Sequence, residues 1–317
     1  MLILGFTAID FTWILLSLFF LLAFCLHVFL SHTSAKCAQS RVCELFQDLI
    51  RYGKTKNSQR PSYVRMCDVP KRTRWFPPFR WFSHFYVVSV VWNGLLITVS
   101  LQTALLGRDL PLWLSNTLGF LTDSSAAAWK GVPLCTVVAQ VLLWAHSVRR
   151  LVECTRVSVF SRGVIHTVQY AFGLGYYILL GLTLLCVRGP QQHQGPPVLW
   201  ALVGGLLLFL WASLLQHRCL LLLAHLRTGK SGEVQTLEHG LPRGGWFERV
   251  SCPHYFAELL IYLSVGVVLG GGALTWWLVV LYVLFNQALA AQLCHEFYHS
   301  TFQHYPRQRR AFLPFLF

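Results

Sequence analysis

No G-x-G-x-x-G segment follows a strand-like run in this sequence, and no G-x-x-x-x-G-K-[ST] loop occurs in it. A Rossmann cofactor domain and a P-loop nucleotide site are thereby excluded. Carboxylates are scarce, with 12 Asp and Glu against 26 Lys and Arg, and none follows Glu296. The ten cysteines show no metal-binding spacing; Cys25, Cys135, Cys186, Cys219 and Cys294 fall in apolar runs or at their ends. The others lie mainly in segments expected to be cytosolic, so free thiols rather than a disulfide framework are expected. The apolar runs lack strict alternation, which excludes a β-barrel. No small-residue cleavage site closely follows the first of them, so it reads as a retained helix and not as a cleaved leader. Repeats and low-complexity tracts are absent.

What is present is apolar. Hydrophobic residues make up 55% of the 317 positions and the mean hydropathy is +0.52, more apolar surface than a water-soluble domain of this size buries. Runs long enough to cross a bilayer as helices, roughly 17–25 residues, occur at 6–30, 84–106, 132–148, 164–187 and 198–225. A sixth run, from Phe256 to Leu293, is too long for one crossing and breaks at Gly270-Gly271-Gly272, which splits it into 256–270 and 273–293. The expectation is a single all-α membrane domain over 1–317 with about seven transmembrane helices and a basic loop at 31–83. With seven spans, 22 of the 26 Lys and Arg fall on one side, in 31–83, 149–162, 226–249 and the tail. The positive-inside rule then places the C-terminus in the cytosol and the N-terminus in a lumen. The formal charge of +14 thus reflects topology, and no nucleic-acid partner is expected. No obligate protein partner is evident either.

His295-Glu296-Phe297-Tyr298-His299 spells H-E-x-x-H, which on a helix places two imidazoles one turn apart, as in zinc proteases. A catalytic zinc needs a third protein ligand. No carboxylate follows, and His304 is the only downstream candidate. A pair of partly solvated histidines at a helix end is the preferred reading, and no metal is expected.

The same residues open the last 22, EFYHSTFQHYPRQRRAFLPFLF. An end as apolar as Ala311–Phe317 must be buried in protein or lie at a membrane surface. Phe297, Tyr298, Phe302, Tyr305, Pro306, Arg309, Arg310, Ala311, Pro314, Phe315 and Phe317 fit the pattern F-Y-x-x-x-F-x-x-Y-P-x-x-R-[KR]-A-x-x-P-F-x-F. The tail resembles the C-terminal signature of the steroid 5α-reductases, membrane enzymes that reduce carbon–carbon double bonds with NADPH. The resemblance extends from about Phe46 to the C-terminus and is densest over 181–317.

That resemblance implies a set of site residues. Gln47-Asp48 stands where the family carries Gln-Glu, whose carboxylate helps to polarise the substrate carbonyl. His146 and Arg150 match H-Y-x-H-R-T, but Ser147 replaces its ketone-binding tyrosine. The stretch Gln216–Phe247 resembles a cofactor-binding region, with Arg227 before Gly229–Glu233 and Arg243 in the turn Pro242–Phe247. Gly240 and Leu220 replace charged residues expected there. Ser251–Glu258 resembles S-x-x-N-[YF]-x-x-E, with His254 in place of Asn and Glu258 a costly carboxylate in an apolar helix. Tyr298 and Asn286 complete the set of candidates, Asn286 as a group that orients nicotinamide or as interhelical glue. Catalytic roles are thus expected at Asp48, Gln47 and His146. Contacts to NADPH are expected at Arg227, Glu258, Tyr298, Asn286, His254, Arg150, Gln216 and Arg243.

The strings Gln47–Lys56 and Asp68–Arg72, the latter leading up to Phe82–Tyr86, resemble the branch of the family that acts on polyprenoids. This implies saturation of the α-isoprene unit of a long-chain lipid on the route to dolichol, the glycan carrier of protein N-glycosylation. A multi-pass protein of the endoplasmic reticulum membrane with its site open to the cytosol is expected. Hydride addition to an alkene needs an electron sink, which a 2-enal has and an allylic alcohol lacks, so the aldehyde is the expected acceptor. Alternatives are a 3-oxo-4-ene steroid or an enoyl-CoA as substrate. More distant ones are a prenylcysteine methyltransferase, an H-E-x-x-H protease and a non-enzymatic sterol-binding bundle.

Overall fold

The structure is a computed structural model that describes residues 5–32, 40–56, 68, 81–125, 131–161, 163–187, 199–229 and 231–317. Most of the basic loop 31–83, including the string Asp68–Arg72 beyond Asp68 itself, lies outside the described residues. Nine α-helices are described: α1 Ala8–His32, α2 Arg41–Ile50, α3 Trp81–Leu106, α4 Leu112–Thr122, α5 Leu134–Val152, α6 Thr167–Cys186, α7 Leu199–His225, α8 Pro253–Val268 and α9 Leu274–Thr301. No extended strand occurs among the described residues, only isolated bridges. Each of the seven expected spans coincides with a helix. Five of these (α1, α3, α6, α7 and α9) are long and apolar enough to cross a membrane, and the chain is a multi-pass membrane protein. α8 is shorter, at 16 residues, and α5 ends in two arginines. The amphipathic α2 and the short α4 lie outside the seven expected spans.

The break between α8 and α9 lies at the expected glycines. Gly270 and Gly271 have φ of +82° and +75°, the left-handed region that only glycine enters without strain. The Gly271 amide reaches back to the Gly266 carbonyl at 3.1 Å, the long bond of a Schellman cap. Pro253 starts α8 at a position where its missing N–H costs nothing.

Contacts run from α1 through α9, α8, α5 and α3 to α6, the short α4 touches both α1 and α6, and α7 packs mainly on α8. In hydrocarbon no hydrophobic gain accrues from helix association, so close packing and buried polar contacts hold such a bundle together. Trp13 of α1 is fully buried and donates to Thr183 Oγ1 of α6 at 3.0 Å. Thr275 of α9 donates to Asp10 of α1 at 2.6 Å. These contacts tie α1 to its neighbours near its N-terminus. Toward its other end α1 parts from α6, and a cavity occupies the gap.

The tail closes the same end of the bundle. Arg310 N donates to Arg249 O (3.0 Å) and Ser251 N to Arg310 O (2.7 Å), so the tail runs beside the segment that leads into α8. Arg309, 2% exposed, donates to the Pro242 carbonyl at 2.9 Å and pairs with Glu248 at 3.4 Å. Ala311 and Phe312 are buried, whereas Phe315 and Leu316 face outward. The apolar end is therefore partly packed inside and partly presented at the surface.

Candidate functional site

The polar centre starts where α5 runs out. Arg149 and Arg150 fall on its last turn, and a π-type turn, Glu153–Val157, follows. Glu153 is 1% exposed and accepts from Arg149 Nη1 (2.7 Å), Arg150 Nη1 (2.6 Å) and His217 Nδ1 of α7 (2.8 Å). Burial works to raise the pKa of its carboxyl, but the two guanidinium groups outweigh it and hold Glu153 ionised, below the usual range.

Arg149 sets the polarity of the next layer. Its Nη2 donates to His146 Nδ1 (3.1 Å) and to Gln216 Oε1 (2.5 Å). A guanidinium has no acceptor, so His146 must carry its proton on Nε2 and Gln216 must turn its amide nitrogen away. Both donors then meet Glu258: His146 Nε2 at 3.2 Å from Oε1 and Gln216 Nε2 at 2.5 Å from Oε2. A carboxylate in an apolar helix is thus held by a neutral imidazole and an amide, each oriented by one arginine. Arg150 donates from Nε to Tyr86 OH at 3.2 Å.

This cluster forms one wall of a cavity of about 490 Å³, within the range of small-molecule sites. Arg150, Gln216, His254, Glu258 and Asn286 line its polar side, together with Tyr86, Tyr177 and Tyr262. Phe20, Phe82, Phe85, Phe160 and Phe172 also line it. Phe19 of α1 and Val168 of α6 line the cavity too, yet they are 53% and 59% exposed. The cavity therefore reaches the outer surface between α1 and α6.

A second cavity of about 180 Å³ adjoins the first and shares Tyr52, Phe82, Phe160, Tyr255 and Ala290 with it. Lys54, Arg227 and His239 give it a basic lining. The turn Gly53–Thr55 carries Lys54 there. Gly53 has φ +56°, its amide donates to the Val164 carbonyl at 2.9 Å, and a Cβ on Gly163 would lie 2.5 Å from Gly53 Cα. Two glycines thus let two backbones touch. Lys54 Nζ donates to Tyr298 OH at 2.8 Å and sits 4.0 Å above that ring. Arg227 donates from Nε to Glu238 O (3.0 Å) and from Nη1 to Val159 O. Burial first, and then the charges of Arg227 and Lys54, push His239 down to about 4.

The residues singled out from the sequence fall into three groups. Arg150, Gln216, His254, Glu258 and Asn286 converge on the larger cavity, with His146 directly behind Glu258. Arg227 lines the smaller cavity and Tyr298 supports Lys54 beside it. Asp48, Gln47 and Arg243 line neither. Asp48 is buried and ion-paired at 2.9 Å to Lys56, which also holds Asp68 at 2.9 Å. Lys56 therefore sits between two carboxylates and holds Asp48 in an ion pair away from both cavities. Gln47 accepts from Arg51 (3.2 Å) and donates to His27 Nδ1 (3.3 Å), and His27 in turn donates to Glu296 (2.8 Å). Arg243 is exposed in its turn. Ser147 is fully buried against Ser89 Oγ at 2.7 Å and lines neither cavity.

The H-E-x-x-H segment is engaged elsewhere. Glu296 also accepts from Gln292 at 3.0 Å, and His295 Nδ1 meets Ser251 Oγ at 2.6 Å. Among the described residues no group of three His, Cys, Asp or Glu is placed to hold a metal ion. Described cysteines are free thiols.

Residues 165–317 match the family described as 3-oxo-5-alpha-steroid 4-dehydrogenase. Along nearly all its length the chain is similar to proteins named polyprenal reductase. Identity is 53% with the one from Danio rerio, over 97% of each chain. It is 49% with that of Xenopus tropicalis, over 98% of this chain and 100% of the relative, and 48% with that of Homo sapiens, over 87% of each. The chain belongs to the steroid 5α-reductase family. As a 5α-reductase family member it is an oxidoreductase that acts on a carbon–carbon double bond.

The motif comparison missed several residues that this family member places at the cavities: Tyr52, Lys54, Tyr86, Tyr177, Tyr255 and Tyr262. A signal for two of them was in the sequence. Tyr52 and Lys54 flank a glycine within an otherwise polar loop segment, and such a glycine marks a tight turn that projects its neighbours. The other tyrosines lie in apolar helices, where only the fold shows which face looks inward.

Proposed function

We propose that the protein saturates the α-isoprene double bond of a polyprenal to give dolichal, with NADPH as the reductant, and so supplies dolichol for protein N-glycosylation. The observation that carries this reading is the shape of the larger cavity. It combines polar, charge-bearing lining residues with many aromatic ones and opens toward lipid between α1 and α6. A polar head can sit inside while a chain of many isoprene units leaves through the side. The nearly full-length similarity to polyprenal reductases supports the same substrate class.

The residues present fit a nicotinamide cofactor. His254 lines the cavity, and its Nδ1 is buried with no hydrogen-bond partner among the described residues, an arrangement a bound polar group would satisfy. Glu258 offers an oriented carboxylate for a carboxamide N–H, and Asn286 makes no side-chain hydrogen bond among the described residues although it lines the cavity. Lys54 and Arg227 supply the positive charge that the phosphates of NADPH require. When bound, the cofactor supplies a hydride for the alkene. The surrounding residues orient it, exclude water with their aromatic side chains and stabilise charge on the substrate. A 2-enal places that charge on its oxygen, whereas an allylic alcohol has nowhere to put it, so the aldehyde is the acceptor.

The topology belongs to the same reading. With α5 and α8 counted as spans the chain crosses seven times, its N-terminus lumenal and its C-terminus cytosolic, in the endoplasmic reticulum membrane. The polar cluster, the basic cavity and the tail lie at one end of the bundle, the end that the basic segments assign to the cytosol.

Purified protein with NADPH should convert a polyprenal to dolichal, read by mass, and leave a polyprenol and a 3-oxo-4-ene steroid unchanged. Reduction of the steroid alone would overturn the substrate assignment. No turnover of any of the three, with no NADPH retained, would overturn the reductase reading itself.

A further inference from the structure

The carbonyl-polarising pair implied by the family pattern is not at the cavity in this chain. Asp48 is held by Lys56, and the expected tyrosine is Ser147, buried against Ser89. A conjugate reduction still needs a donor for the oxygen that becomes negative. Where the two cavities meet they share five lining residues, of which Phe82, Phe160 and Ala290 have no side-chain donor. The other two are Tyr52 and Tyr255, with hydroxyl oxygens 3.3 Å apart.

We propose that the Tyr52 and Tyr255 hydroxyls form the oxyanion site of the reaction, receiving the aldehyde oxygen of the substrate. This rests on the polyprenal reading above. Two phenols carry two O–H hydrogens, and the bond between them uses one. The pair stands at the junction of a substrate-sized cavity and a basic one, with the Cys294 thiol the other group that Tyr255 reaches. Tyr255 lies in the first turn of α8, three residues before Glu258, so the two share a face of that helix. The oxygen site thus adjoins the carboxylate assigned to the nicotinamide amide.

Each phenol is held in place. Tyr255 packs on the His254 ring at 4.2 Å, and Tyr52 packs on Phe82 at 6.0 Å. The Gly53 turn fixes the Tyr52 backbone, whose amide donates to Thr55 Oγ1 at 3.2 Å. Burial pushes Tyr52 up to about 12, so it remains a donor across the working range of pH.

The electron balance is that of a conjugate addition. A hydride from the reduced nicotinamide forms the new C3–H bond, and the C2=C3 π bond breaks. Its electron pair becomes the C1=C2 bond of an enolate, the C1=O π pair moves to the oxygen, and that oxygen takes the hydrogen bond of the hydroxyl not spent between the two phenols. One proton taken up at C2 completes the saturated aldehyde.

The test is the series Tyr52→Phe, Tyr255→Phe and the double variant. Each keeps the ring and its packing and removes only the hydroxyl. Loss of an oxyanion donor costs about 100- to 1,000-fold in kcat, so the double variant should lose at least 100-fold. Each single variant should lose at least fivefold, because the remaining hydroxyl loses its partner. NADPH retention and KM for polyprenal should stay within about threefold, and the solvent deuterium isotope effect on kcat should change in the single variants. A purely structural role would move stability and NADPH retention and leave the isotope effect alone. A double variant that keeps kcat within threefold of wild type overturns the proposal while leaving the reductase reading intact. Inactive wild type in the same assay defeats that reading instead. If the double variant does not fold, two single variants with unchanged kcat and isotope effect overturn the proposal.

Discussion

Glu258→Gln is the substitution that most directly probes how the polar centre is wired. The side chain keeps its size, but one of its two oxygens becomes an N–H donor. Two donors already point at residue 258, His146 Nε2 and Gln216 Nε2. Neither can turn round, because Arg149 Nη2 occupies the acceptor of each, His146 Nδ1 and Gln216 Oε1. The new amide must therefore set its own N–H against one of them. One buried donor is left without an acceptor, at a cost of about 1–3 kcal/mol, and the lost charge weakens the bond that remains. A destabilisation of about 2–4 kcal/mol is expected, read as a lower unfolding midpoint in detergent. NADPH affinity should fall about tenfold or more, since each 1.4 kcal/mol is a factor of ten. Arg149→Leu added to Glu258→Gln should return part of the loss, because His146 and Gln216 are then free to reorient. A Glu258→Gln protein as stable as wild type to within 0.5 kcal/mol would refute the claim that Arg149 fixes the polarity of the cluster. Equal damage in the double variant would refute it as well.

Asp48→Asn should cost about 1–3 kcal/mol of stability through the Lys56 ion pair and leave kcat within a few-fold; a hundredfold fall in kcat at unchanged stability would return Asp48 to the reacting centre. His239, held at about 4 in the fold, takes up a proton in the unfolded chain near its ordinary value of 6.5. The unfolded state therefore binds more protons below pH 6.5, and stability should decline as pH falls from about 6.5 to 4. His239→Gln should flatten that part of the unfolding profile, and an unchanged profile would count against the placement of His239 beside Lys54 and Arg227. Gly163→Ala puts a methyl group 2.5 Å from Gly53 Cα and should displace the turn that carries Tyr52 and Lys54. Loss of about 1–3 kcal/mol with a fall in kcat is expected, and wild-type behaviour would show that the two backbones do not pack as closely as described.

The expected helices were legible because a bilayer imposes a length, and the break at Gly270–Gly271 because only glycine takes the left-handed conformation there at no cost. The tail pattern was legible as a family signature. Its physical role, with Arg309 tying the turn at Pro242 to the C-terminus, was not. Glu258, His254, Gln216 and Arg150 could be picked out as polar groups in or beside apolar helices, which must find partners. The choice of partner lay beyond the sequence: Asp48 looked like a catalytic acid until Lys56, eight residues on, was seen to hold it.

By itself, then, the sequence determined the class of the molecule: a helical, multi-pass membrane protein of a reductase family, with most of its polar inward-facing residues identifiable. Those features depend on hydrophobic length, glycine conformation and the cost of a lone charge in hydrocarbon, which act over a few consecutive residues. The tertiary structure decided which hydroxyls and charges meet. It took Asp48 and Ser147 away from the cavity, brought Tyr52 and Tyr255 together from 203 positions apart, and opened the wall between α1 and α6. Hydrogen-bond direction and cavity shape depend on groups from several helices at once, and spacing along a single helix does not encode them.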